Sequence, residues 1–132
     1  RNEFLQCNQF YILINNRIWT IKQIKTTMIN KEDIEKIKNS IVESFNPEKI
    51  ILYGSYAYGN PNNQSDIDLL IVMPFEGRSS KVVLEIWKKI NSDFSIDLII
   101  RTPDDVQRRY IEGDPLIGDA VDKGKVLYER CS

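Results

Sequence analysis

Three short segments dominated by apolar residues constrain this chain most: residues 49–53, 66–73 and 95–100. Neighbouring side chains on a strand point to opposite faces, so a continuous apolar run is wetted on one face unless both are covered. Runs of five to eight residues are too short for buried helices and fit strands in a sheet with layers on both sides. Ile50, Ile51 and Leu52 form the centre of the first. The second is apolar after Asp68, and the third carries Asp97 between Ile96 and Leu98.

The covering layers are legible between the runs. Asn30 is a helix cap with Glu32 and Asp33 in the first turn, and Ile34, Ile37, Ile41 and Phe45 follow at helical spacing. Asn46-Pro47 stops that helix. Tyr56-Ala57-Tyr58 starts a short helical turn, and residues 59–63 carry loop signals throughout. Residues 77–80 lead into a helix with Val82, Val83, Ile86, Trp87 and Ile90 on one side. Thr102-Pro103-Asp104-Asp105 opens a helix with a cap, a first-turn proline and two acids. Asp114-Pro115 opens another, which Gly124 ends, and residues 125–129 form a last short strand. The expected fold is a small α/β (α+β) domain with helices against a sheet.

Residues 1–27 differ from the rest. Arg1, Arg17, Lys22 and Lys25 against Glu3 give them a charge of +3, while residues 28–132 carry −4. Their apolar run, Phe10-Tyr11-Ile12-Leu13-Ile14, is far short of the roughly 20 residues needed to span a bilayer. Two readings stand: a domain at 28–132 preceded by an upstream extension or non-native remnant, or a genuine extra strand on residues 10–14.

Composition narrows the chemistry. The chain has no histidine, which excludes Ser-His-Asp and Cys-His nucleophiles and histidine-ligated zinc. Lysine plus arginine number 18 and aspartate plus glutamate 19, so a basic nucleic-acid-coating protein is not expected. Two cysteines in 132 residues fit a reducing compartment, the cytoplasm, better than a disulfide scaffold.

Carboxylates, hydroxyls and bound metal remain, and one segment gathers them. Gly54-Ser55 follows the first strand; ten residues later Ser65-Asp66-Ile67-Asp68 opens the second. Asp66 and Asp68 are two apart on a strand, so their carboxylates share a face. Close carboxylates at a buried strand need a cation or a raised pKa. Mg²⁺ suits them, since it takes one or two carboxylates and completes its shell with water and phosphates. Gly54 lets a phosphate approach the backbone, a helix N-terminus presents N–H groups to it, and the Ser55 hydroxyl adds a hydrogen bond. Asp97, costly in an apolar strand unless paired, completes a two-metal arrangement. Asp-x-Asp or Gly-Ser alone is a weak signal; their combination with an isolated strand aspartate is specific. Tyr53, Tyr56 and Tyr58 are candidates to stack on a nucleobase, although Tyr53 reads first as packing. Trp87 reads as a core or partner-facing residue. Lys88-Lys89 and Arg108-Arg109 read as solvated helix faces.

Gly54-Ser55, the ten-residue interval and Asp66-x-Asp68 resemble the signature of the DNA polymerase β-type nucleotidyltransferase superfamily. The chain is most similar to its minimal branch, the antitoxins paired with HEPN-domain toxins, over residues 28–130. That resemblance implies a small mixed sheet flanked by helices, with Mg²⁺ (two ions) bound by Asp66 and Asp68. It makes Asp97 the third carboxylate, assisting deprotonation of the acceptor hydroxyl, and it places the triphosphate of an NTP on Gly54 and Ser55. The implied function is the antitoxin of a type VII-like pair, transferring AMP from ATP to a HEPN toxin. The alternatives are an antitoxin that acts by contact alone and a small-molecule (antibiotic) adenylyltransferase. A domain of about 105 residues has little room for an acceptor-binding domain, so the acceptor surface is expected on a partner protein, with no membrane and no direct nucleic-acid contact.

Overall fold

The computed structural model describes residues 29–61, 65–90 and 94–131. Met28, the upstream segment and its strand at 10–14 lie outside the described residues, as do Asn62 and Asn63 of the expected loop. The elements are α1 (Lys31–Phe45), β1 (Lys49–Tyr53), α2 (Ser55–Tyr58), β2 (Ile67–Val72), α3 (Ser79–Ile90), β3 (Ile96–Arg101), α4 (Pro103–Glu112), α5 (Pro115–Lys123) and β4 (Lys125–Glu129).

Helix starts follow from their caps. Asn30 Oδ1 accepts from Asp33 N–H at 2.9 Å, and Asp33 Oδ2 accepts from Asn30 N–H at 3.2 Å. This reciprocal pair satisfies two donors that a helix N-terminus otherwise leaves open. Asn46 ends α1 in the left-handed region at φ 48°, one of the few conformations asparagine tolerates better than most residues. Thr102 Oγ1 accepts from Asp105 N–H, and Asp114 Oδ1 accepts from Leu116 and Ile117 N–H. Gly124 ends α5 as expected, with its N–H on Ala120 O and its backbone extended at φ −72°. Its role is steric, since a Cβ there would stand 2.4 Å from Ala120 O and 2.6 Å from Ile51 Cγ2. The α5–β4 junction is pressed against β1, and only glycine fits.

The sheet runs β3-β2-β1-β4. β1 pairs antiparallel with both β2 and β4, while β2 and β3 are parallel, so the sheet is mixed. The parallel pair needs a crossover, which α3 supplies. On one face Ile50, Leu52, Leu69, Ile71, Leu98 and Ile100 pack with Ile34, Ile37 and Ile41 of α1 and Ile86 and Ile90 of α3. Trp87 lies partly buried against this cluster, which favours the core reading. On the other face Ile51, Tyr53, Leu70 and Val72 pack with Ile117 and Ala120 of α5, flanked by Ile99 and Val106. The double cover explains why β1 and β2 are apolar at nearly every position.

Arg108 and Arg109 are not simply solvated. Arg109 Nε donates to Asp105 Oδ2 at 3.0 Å and its guanidinium to Asp114 Oδ2 at 3.2 Å, while Arg108 bridges Asp105 and Glu112. These pairs knit α4 to the α5 cap.

Candidate active site

The register of three strands sets one row of polar side chains. Tyr53 of β1 lies opposite Asp68 of β2, and Asp68 lies beside Asp97 of β3. Two-residue periodicity puts Tyr53 on the face of Ile51, Asp68 on that of Leu70 and Val72, and Asp97 on that of Ile99. The face is therefore dry under α4 and α5 and becomes acidic one step along each strand. Asp66 stands just before β2 and is exposed, as is Asp97, while Asp68 is half-buried.

Asp68 carries the electrostatic load. Burial pushes its carboxyl above the ordinary aspartate range, and the charges of Asp97 and Asp66 push it further. Tyr53 is 9% exposed. Burial first, then Asp68 and Asp97, drive its phenol well above the usual tyrosine value, against the opposing pull of Arg101. Its hydroxyl stays protonated beside the carboxylates throughout the physiological range.

Gly54 fixes how Asp68 sits. Its backbone is at φ 77°, ψ −161°, a region essentially reserved for glycine. A Cβ built on it would stand 2.2 Å from Asp68 Oδ2, so the carboxylate occupies the space a side chain would take. Ser55 follows as the first residue of α2, whose Ala57 and Tyr58 N–H groups both donate to Gly54 O at 3.0 Å. On the opposite side of α2, Tyr56 packs against the first core cluster, and its hydroxyl accepts from Ile29 N–H at 3.2 Å.

The five residues singled out in the sequence thus converge: Gly54 and Ser55 at the end of β1, Asp66 and Asp68 at the start of β2, Asp97 near the start of β3. Tyr53 belongs to the same row, which its apolar run disguised; only its alternation with Ile51 marked it. Among the described residues no group of three or more acidic or cysteine side chains is placed to hold a metal ion. A site for Mg²⁺ does not require one, because water and phosphate oxygens fill most of its shell. The donor set, two exposed carboxylates flanking one of raised pKa, fits a divalent cation that relieves their repulsion. A separate groove of about 610 Å³, lined by Lys49, Val72, Val106, Tyr110 and Val126 among others, opens at the far end of β1 and contributes no carboxylate of this set.

Residues 35–132 match the model of the polymerase beta nucleotidyltransferase family. The fold is similar to that of a crystal structure from Sulfolobus solfataricus, a protein provisionally assigned as a nucleotidyltransferase. The TM-score is 0.55 at 21% identity, covering 82% of this chain and 84% of that one. No curated protein matches this chain. The match spans the glycine turn, Asp66, Asp68 and Asp97 and every described strand, and the chain belongs to the polymerase beta nucleotidyltransferase family.

Proposed function

We propose that this chain is a Mg²⁺-dependent protein adenylyltransferase, the antitoxin that moves AMP from ATP onto a HEPN-domain toxin and so neutralises it. The observation that carries nucleotidyl transfer is the seating of Asp68 in the space left by Gly54, with Asp97 in register beside it. This couples the turn that would take a triphosphate to the carboxylates that would hold its metal. The protein acceptor rests on the likeness to the minimal branch of the family and on the described elements, all of which belong to the sheet or its covering layers.

Asp66, Asp68 and Asp97 would hold the metal, and the Ser55 hydroxyl and the backbone at 54–55 would take triphosphate oxygens. Bound Mg²⁺ supplies charge neutralisation at the phosphoryl oxygens and the leaving group. The acceptor hydroxyl forms a new O–P bond at the α-phosphorus, the bond to the β-phosphate oxygen breaks, and pyrophosphate leaves. Asp97, exposed at the edge of the row, accepts the hydroxyl proton. Positioning and fixed charge do most of the work, as in phosphoryl transfer generally. The site operates in the cytoplasm without membrane or nucleic-acid contact.

The test is incubation of the chain with its HEPN partner, Mg²⁺ and α-labelled ATP. Label on the partner, absent with Asp66→Asn or Asp68→Asn, is the expected result. An unlabelled partner still neutralised by both variants would mean inhibition by contact. Label on a small hydroxylated compound in place of protein would move the chain to the antibiotic-modifying class.

A further inference from the structure

Three tyrosines, Tyr53, Tyr56 and Tyr58, surround the glycine turn, and their environments differ sharply. Tyr53 is 9% exposed and packed in the second core cluster. Tyr56 lies against the first cluster, with its hydroxyl taken by Ile29 N–H. Tyr58 alone presents its ring, at 42% exposure. Of the three, Tyr58 is the ring with an open face on which a planar ligand could stack.

Its direction follows from α2. Ser55 and Tyr58 are the first and last residues of this helix, three apart. Side chains at that spacing share a helix face, with Cβ atoms about 5–6 Å apart. Ala57 is buried and Tyr56 is packed on the first cluster, so they turn the other face to the core. Tyr58 therefore lies on the side of Ser55 and the phosphate turn. Beyond Tyr58 the surface is open: a Cβ on Gly59 would meet nothing within 4 Å.

We propose that Tyr58 is the nucleobase platform of this site: the base of a nucleoside triphosphate stacks on its ring while the phosphates lie at Gly54 and Ser55. The assignment rests on the nucleotidyltransferase reading above and adds where the base goes. Every base has a π-face, so the platform accepts purines and pyrimidines, and tight selection among them has to come from other groups.

Equilibrium binding of Mg·ATP and Mg·tripolyphosphate to the full chain tests it, with Tyr58→Ala and Tyr58→Phe as variants. Stacking of this kind corresponds to roughly a 5- to 150-fold change in affinity. Tyr58→Ala should weaken ATP by that factor, leave tripolyphosphate unchanged, and be rescued by Tyr58→Phe. Equal loss for both ligands would overturn the platform, because the substitution would then have disturbed the phosphate turn. So would an unchanged ATP affinity, or a Phe variant as weak as the Ala variant. Wild-type protein that binds ATP no better than tripolyphosphate refutes the platform and leaves the transferase reading standing. Wild-type protein that binds neither refutes both.

Discussion

Gly54→Ala is the sharpest probe of how the turn and the carboxylates are coupled. Two separate costs arise. At φ 77°, ψ −161° an alanine backbone is strained by about 1–3 kcal/mol. Its Cβ would also sit 2.2 Å from Asp68 Oδ2, an overpacking that in cores costs about 1–3 kcal/mol more. Together they reach about 2–6 kcal/mol, against a total stability of roughly 5–15 kcal/mol for a domain of this kind. The two costs separate in a double-mutant cycle. Asp68→Ala removes the clashing oxygen and its carbon, while the Asp68 Cβ, 3.4 Å from the new methyl, makes an ordinary contact. In that background Gly54→Ala should cost only the backbone share, so the coupling energy between the sites is about 1–3 kcal/mol. Urea denaturation of the four proteins in metal-free buffer measures it. Equal costs in both backgrounds would show that Asp68 does not occupy the glycine's space, and the coupling of turn to carboxylates would fall with it.

Further outcomes follow from the same geometry. Asp68 holds its proton more tightly folded than unfolded, so in metal-free buffer its charge lowers stability as pH rises from about 3.8 through the folded-state value. Asp68→Asn should therefore be more stable than wild type at neutral pH and lose that advantage in acid, as read by thermal melts across pH; an advantage independent of pH would contradict it. Tyr53 is also raised, so the unfolded chain ionises first and stability should fall above about pH 10. Tyr53→Phe should flatten that alkaline limb. Mg²⁺ at about 100 times its Kd should raise unfolding free energy by about 2.7 kcal/mol in wild type and by much less in Asp66→Asn or Asp68→Asn. Gly124→Ala should cost at least about 1–3 kcal/mol by overpacking against Ile51 and Ala120, with no backbone strain, in the same denaturation assay.

Much of this architecture is local and therefore readable in the chain. The caps at Asn30, Thr102 and Asp114 depend on residues two or three positions away, and each side-chain bond forms as their order suggests. The apolar runs report double burial directly, because both parities of a strand must be apolar for it. Strand order is another matter: β4 beside β1 and β3 beside β2 bring together residues about 30 to 80 positions apart, which no periodicity encodes. The same limit applies at the site. Gly54 reads as room for a phosphate, but the space its missing Cβ leaves is filled by a carboxylate 14 positions downstream. Gly124 reads as a helix terminator and is one, but the sequence does not show that its missing Cβ also clears the Ile51 side chain and the Leu52 carbonyl on β1, besides Ala120 O.

β2 is an interior strand, between antiparallel β1 and parallel β3, and Leu69, Leu70 and Ile71 are fully shielded from water. Its amides open to exchange only when the whole sheet comes apart, whereas helix ends and edge strands fray at far lower free energy. Asp68 is anchored in this strand. The lifetime of Asp68's placement is thus set by global unfolding, whereas Asp97, on edge strand β3, shares the breathing of the periphery. A partner or substrate arriving at the edge meets Asp68 already in place, and what remains to be waited for is the edge strand that carries Asp97.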